Sequence, residues 1–429
     1  MGSWWGWLGA GLLAGVLAGC ATTAEQNQEA VAEAQRALVV EPSSARADRV
    51  PLVLAHFMPW FQAPKTSKSY GWHWHMGFFD PYDKDKNGKS PIATHYYPLT
   101  GPYDSADPAV LEYQLTLMKL SGVDGVIIDW YGIEDALDYK KVHESAQALF
   151  QAVRKAGLKF AVCYEDQSMG KMVLARKFGD EDALAHGQAV MKWLDENWFG
   201  DPSYVKIDGR PLLLDFGPQY FLKADQWNAL FSVVKTRPYF VSLNDHMEFY
   251  SDSSYPWPPM YLSGGGDLDL SRVVTYFNDF YAKTNAKPHL VTTVFPGFHD
   301  IYQEAQVSSS YGYLDDLGGG TFQVLLDAAL KANADVIQVA TWNDYGEGTV
   351  VEPNEVRGYQ QLEQLQQTAR RLHPGFPFTA DDLRVPLRVW KLRQNHAAPE
   401  QLDRWAQAVF SGDAAGARSL AAAFPSPGI

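Results

Sequence analysis

Asp344 and Glu347 stand three residues apart in the run Trp342-Asn343-Asp344-Tyr345-Gly346-Glu347-Gly348. Cleaving a glycosidic bond needs one carboxylic acid to protonate the leaving oxygen. It also needs a second carboxylate to activate water, attack the sugar carbon or take a proton from a neighbouring hydroxyl. Two such groups on one tight turn repel, and one of them then holds its proton toward neutral pH. Gly346 and Gly348 permit such a turn. The same spacing also suits a helix start, with Asp344 as cap and Glu347 at the third helical position. Spacing alone leaves both readings open.

Chemistry of this kind needs a rigid frame. Short apolar runs alternate with helical stretches from Pro51 to about Leu372. The pattern predicts strands at Leu52–Phe57, Gly125–Trp130, Lys159–Tyr164, Pro211–Phe216, Tyr239–Leu243, Met260–Ser263, Leu290–Phe295 and Asp335–Thr341. It predicts helices near 108–121, 142–156, 182–198, 224–236, 271–285, 321–333 and 357–372. Runs such as Gly125-Val126-Ile127-Ile128 are apolar on both faces, as strands of a parallel sheet covered on both sides should be. Eight strands with intervening helices imply an α/β protein, a (β/α)8 TIM barrel over residues 51–374. A long insertion, Pro59–Asp107, follows the first strand, and Glu248–Leu270 reads as loop. Residues 375–429 read as a helical C-terminal extension.

Active sites of such barrels lie at the carboxyl ends of the strands. Polar and aromatic groups gather there: His56, Asp129-Trp130-Tyr131, Tyr164-Glu165-Asp166, Asp215, Asn244-Asp245 and the 342–348 run. The candidate sugar-binding set is His56, Trp60, Asp129, Trp130, Tyr131, Tyr164, Glu165, Asn244, Trp342, Asn343, Tyr345 and Glu352. Aromatics are 14% of the chain, with 14 Trp and 22 Tyr. Flat rings of this kind stack on sugar faces, and Trp60, Phe61, Tyr70, Trp72, Trp74, Phe78 and Phe79 crowd the insertion. The insertion reads equally as a satellite apolar cluster under a long loop.

Other chemistries find less support. Fifty acidic against 36 basic residues give a formal charge of −14, which argues against a nucleic-acid partner. No glycine-rich phosphate loop with a following lysine occurs, and no cofactor is expected. His73 and His75 lack an evident third metal ligand. Asp83, Asp85 and Asn87 resemble the first half of a calcium loop, but Thr94 stands where the twelfth position needs an acid. Two cysteines, Cys20 and Cys163, exclude a disulfide framework, and Cys163 reads as a buried thiol.

Residues 1–19 read as a secretion signal. Trp4–Leu17 is an apolar run of 14 residues, short for a membrane span. It ends in Leu17-Ala18-Gly19-Cys20, which resembles a bacterial lipoprotein signal with Cys20 lipidated, although no Lys or Arg precedes the apolar run. Ala21 after Cys20 favours the outer membrane in a Gram-negative envelope. Residues 20–50 then read as a tether to the lipid bilayer.

Asn343-Asp344-Tyr345-Gly346-Glu347 resembles the active-site signature of glycoside hydrolase family 71, the α-1,3-glucanases. The extension Glu347-Gly348-Thr349-Val350-Val351-Glu352-Pro353 resembles family 99, the endo-acting α-mannosidases and mannanases. His56-Phe57-Met58-Pro59-Trp60, Gly122-Val123-Asp124-Gly125, Asp129-Trp130-Tyr131-Gly132 and Val294-Phe295-Pro296-Gly297-Phe298 agree in order. The resemblance covers about Pro51 to Leu372 and is strongest to the mixed bacterial 71/99-like group. It implies endo-acting hydrolysis of an α-linked glucan or mannan-type polysaccharide, with Glu347 as general acid and Asp344 as base or nucleophile. Family 99 has Glu where Asp344 stands, so retention or inversion stays open. That departure also leaves open a non-catalytic carbohydrate-binding envelope lipoprotein on a hydrolase scaffold.

Overall fold

Alternation along the strands sorts their side chains into two layers. In β1 (Leu52–Phe57), β2 (Gly125–Trp130) and β3 (Lys159–Tyr164), Leu54, Ile127, Ala161 and Cys163 enter one apolar cluster. Their neighbours Ala55, Phe57, Ile128, Trp130, Val162 and Tyr164 enter another. The period of two of a strand places the first set inside a barrel and the second beneath surrounding helices. The computed structural model describes residues 24–47, 49–244, 250–396 and 398–424.

The remaining barrel strands are β4 (Arg210–Asp215), β5 (Tyr239–Leu243), β6 (Ser253–Tyr255), β7 (Val291–Val294) and β8 (Val336–Val339). They run parallel in the order β6-β5-β4-β3-β2-β1-β8-β7. The barrel is nearly closed. No ladder joins β6 to β7, but the Ser253 hydroxyl donates to the His289 carbonyl at 3.3 Å across that seam. Thr293 Oγ1 likewise donates to the Pro256 carbonyl at 2.5 Å.

Helices α1 (Pro108–Ser121), α2 (Tyr139–Ala156), α3 (Ala183–Asn197), α4 (Ala224–Phe231), α5 (Leu270–Thr284), α6 (Gly320–Lys331) and α7 (Gln360–Leu372) surround the barrel. Local chemistry sets their ends. The Asp107 carboxylate accepts the Ala109 N–H at 2.9 Å, Pro108 occupies the first turn, and Gly122 (φ 81°) stops α1. A Cβ on Gly122 would meet the Ala369 Cβ at 2.3 Å, so α7 can pack there against glycine alone. Each large apolar side chain buried between layers contributes about 1.5–3 kcal/mol.

Three expectations change. Met260–Leu262 forms a short 3-10 turn, not strand six. Pro258 and Pro259 before it lack the N–H that a ladder requires. The sixth strand is Ser253–Tyr255, inside the stretch read as loop. The stretch read as a tether is docked from residue 24 onward. Residues 24–37 are helical, and Ala34, Val40 and Arg46 are buried. Arg46 donates to the carbonyls of Thr284, Asn285, Lys287, Ala332 and Asn333, where α5 and α6 end. A guanidinium there meets the negative ends of two helix dipoles. The C-terminal extension forms α8 (Val385–Gln394), α9 (Pro399–Ser411) and α10 (Ala414–Ala422). Leu392, Leu402, Trp405 and Val409 bury it in the outer core, where α8 and α9 contact α1.

Candidate active site

The turn after β8 is held from several sides. The Asp344 N–H donates to Thr341 Oγ1 at 2.7 Å, and the Glu347 N–H donates to Asp344 Oδ1 at 3.0 Å. Asp344 therefore does cap a turn, but no helix begins there. Gly348 (φ 70°) donates to the Asp344 carbonyl at 3.1 Å, and a Cβ on it would meet the His299 carbonyl oxygen at 2.6 Å. Asn343 clamps the turn to the β1 loop. Its Oδ1 accepts the Met58 N–H at 2.8 Å, and its Nδ2 donates to the Met58 carbonyl at 3.0 Å. Arg357, buried, donates to the carbonyls of Gly348 at 2.8 Å and Val350 at 3.1 Å, and pairs with Asp316 at 3.0 Å.

The two carboxyls differ in proton affinity. Burial raises Asp344 to about 6, while the backbone N–H groups of Glu347 and Gly346 oppose that rise. Burial first, and then the charge of Asp344, hold Glu347 well above the usual carboxylate range. The Tyr302 hydroxyl hydrogen-bonds Glu347 and opposes the rise. One group is thus a proton donor near neutral pH and the other is ionised above about 6. A second acidic pair lies close by. Burial raises Glu165 to about 7, and burial together with Glu165 raises Asp129 well above its ordinary value.

Asp344 and Glu165 line a trench at the carboxyl ends of the strands. One cavity of about 620 Å³ is lined by Trp72, His73, Tyr131, Leu137, Asp138, Tyr139, Glu165, Gln167 and Lys171. A narrower one shares Trp72 and His73 with it and adds Trp60, Phe61, Met76, Tyr302, Asp344 and Gly346. Trp60 stacks on His73 with ring centroids 4.2 Å apart and planes inclined by 6°. His73 Nε2 lies 3.3 Å from Asp138.

No protein-family model matches the chain. The chain is similar to a glycoprotein endo-alpha-1,2-mannosidase-like protein of Danio rerio, 22% identical over 326 residues, which span 68% of this chain and 69% of that protein. It is 21% identical over 330 residues to glycoprotein endo-alpha-1,2-mannosidase of Mus musculus, spanning 70% of this chain and 67% of that one. Its fold matches the GH99 endo-alpha-mannosidase from Bacteroides thetaiotaomicron at a TM-score of 0.57 and 17% identity, covering 76% of this chain and 99% of that chain. In sequence the chain is thus similar to endo-alpha-1,2-mannosidases, and in fold to a GH99 endo-alpha-mannosidase.

The barrel brings together some of the predicted residues and separates others. Asp344, Trp60, Tyr131 and Glu165 line the trench, with Glu347 beside Asp344 and Tyr302. His56 and Asp129 lie beneath its floor, buried inside the barrel. Asn244, at the end of β5, accepts a hydrogen bond from Tyr276; Asp245 lies outside the described residues. Trp130, Tyr164 and Trp342 are fully buried in the layer outside the barrel and do not face sugar. Trp130 donates to His143 at 3.2 Å and packs on Trp193 and Trp198. Their places on the strands point them outward, which strand-end position alone does not reveal.

Asn343, Tyr345 and Glu352 support the turn from below and are also withdrawn from the trench. Glu352 accepts from Tyr103 at 2.7 Å, Tyr345 at 2.9 Å and Gln114 at 3.0 Å. The aromatic insertion divides in two: Trp74 and Tyr103 form a satellite core, Trp60 and Trp72 reach the trench, and Phe61 borders both. Asp166 accepts the N–H groups of Gln219, Tyr220 and Phe221, a structural duty. Asp85 Oδ1 accepts from the N–H groups of Asn87 and Lys89, so the calcium-like stretch closes on itself as a turn. Tyr302 and Tyr139 are trench residues that sequence reasoning missed.

Proposed function

We propose that the chain is an endo-acting glycoside hydrolase on α-linked glycans of the mannan type. The observation that carries this reading is the Asp344–Glu347 turn, with its two carboxyls of unequal proton affinity beside an aromatic trench. The similarity to endo-alpha-1,2-mannosidases supports the mannan-type assignment. Glu347 delivers its proton to the leaving oxygen. Asp344, ionised above about pH 6, acts as base or nucleophile at the sugar. Tyr302 holds the Glu347 carboxyl in position. Trp60, Trp72 and Tyr131 supply ring faces for sugars.

The reading includes an anchor. Cys20 lies outside the described residues; the sequence Leu17-Ala18-Gly19-Cys20 supports its lipidation and a cell-envelope location, in the outer membrane. Val31 packs on Gly320 at the start of α6, and Arg46 sits where α5 and α6 end. The segment therefore descends the barrel wall from the catalytic side, and an anchor at Cys20 would hold the trench toward the bilayer. Mass spectrometry of the purified chain tests this: a diacylglyceryl adduct on Cys20 is expected, and an unmodified Cys20 in mature protein would exclude it.

The activity is tested by incubating the chain with α-mannans and α-glucans beside Glu347→Gln. Oligosaccharides released by wild type alone would support the reading. Retained binding with no product would favour a carbohydrate-binding protein instead.

A further inference from the structure

Beneath the trench floor, three neighbouring strands converge on one point with three different ligating side chains. A ring nitrogen of His56, the Sγ of Cys163 and a carboxylate oxygen of Asp129 all lie within 4.8 Å of one another, and all three residues are buried. Asp129 and Cys163 are directly paired in the β2–β3 register. A tetrahedral ion with bonds of about 2.0–2.3 Å holds its donors within about 4 Å of one another, so adjustments on the scale of an ångström would close the set.

Two further observations point to a ligand. The first is the direction of a hydrogen-bond chain. The Pro256 carbonyl can only accept, so Thr293 Oγ1 donates to it at 2.5 Å. That oxygen then accepts Gln338 Nε2 at 3.0 Å, and Gln338 Oε1 accepts the Nδ1–H of His56 at 2.8 Å. The chain fixes the tautomer and leaves Nε2 as a lone pair. A metal-binding histidine is held by its other nitrogen in this way. The second is Asp129, 2% exposed, whose carboxyl has only loosely aligned hydrogen bonds, to Glu165 and Tyr131 on its trench side, and none in good geometry. The Tyr255 hydroxyl is the polar neighbour of Cys163, at 3.4 Å.

We infer that His56, Asp129 and Cys163 form a binding site for a divalent transition metal, with zinc favoured by the mixed nitrogen, sulfur and oxygen donors. Binding displaces the Cys163 proton, and any proton the Asp129 carboxyl holds, to solvent and gives a metal-bound thiolate and carboxylate, with no change of oxidation state. The ion would tie β1, β2 and β3 together directly under Glu165. It plays no part in the cleavage proposed above, so the two readings stand or fall separately.

The test uses the full-length chain, loaded with zinc and dialysed against metal-free buffer. About one zinc per chain is expected by elemental analysis. Cobalt(II) loading should give a thiolate-to-cobalt charge-transfer band in the near ultraviolet. Cys20→Ser should keep that band and Cys163→Ser should lose it. Asp129→Asn, which preserves size, should weaken zinc retention, with circular dichroism confirming the fold. No metal retained by wild type, or retention unchanged in Cys163→Ser, would overturn the inference.

Discussion

Asp344 Oδ1 accepts the backbone N–H of Glu347 at 3.0 Å, so the ionised partner also orients the residue that donates the proton. Removing either carboxyl should therefore abolish turnover without unfolding the barrel. Asp344→Asn and Glu347→Gln are each expected to lower kcat by at least about 10²-fold. Unchanged circular dichroism should accompany the loss.

The pH profile of kcat/KM should be bell-shaped. Activity should rise through about pH 6 as Asp344 ionises. It should fall on the alkaline side as Glu347, held above the carboxylate range, loses its proton. A profile without the acid limb would remove Asp344 from the role of base.

The same shift has a stability consequence. Asp344 holds its proton to about 6 in the folded chain, against an ordinary value of 3.8. The folded state thus binds that proton more tightly than the unfolded chain does. The resulting stabilisation is complete below about pH 4 and is lost as pH rises through about 6. Asp344→Asn should be more stable than wild type at pH 7, by about 1–3 kcal/mol in urea titration. The difference should shrink toward pH 4.

Glu352 distinguishes support from chemistry. Its oxygens accept three donors: Tyr103, Tyr345 and Gln114. Glu352→Gln turns an amide N–H₂ toward a donor and should cost about 1–3 kcal/mol of stability. The pH dependence per folded molecule should stay that of wild type. A loss of catalysis at full stability would place Glu352 in the reaction.

Aromatic residues separate the same way. Trp72→Ala, in the trench, should raise KM roughly tenfold, a loss of about 1.4 kcal/mol of stacking. Trp130→Phe, in the outer core, should lower the unfolding midpoint and leave KM alone.

Most of the barrel was legible because buried parallel strands write themselves as short apolar runs, as in Val126-Ile127-Ile128. The sixth strand was not. Ser253 and Ser254 carry no apolar signal, and Ser253 uses its hydroxyl to bridge the seam. The tail end of the presumed tether was misread because the fit of Arg46 depends on where α5 and α6 end, which no local pattern announces. Asp344 and Glu347 were singled out by their place after the last barrel strand, since spacing alone also suited a cap, and the structure sets them in one turn. Tyr302 was not, because nothing in sequence links it to position 347. Backbone bonds do so: Ile301 N–H to the Gly346 carbonyl and His299 N–H to the Glu347 carbonyl, both 2.9 Å. Trp130, Tyr164 and Trp342 show the opposite error, since strand-end position does not say which side of the wall a ring occupies.

The most direct measurement is the product pattern from an α-mannan treated with wild type and with Glu347→Gln. Wild type should release internal oligosaccharides of several lengths, and the variant should release none while still binding the polymer. Equal release by both would contradict the assignment of Glu347 as the proton donor.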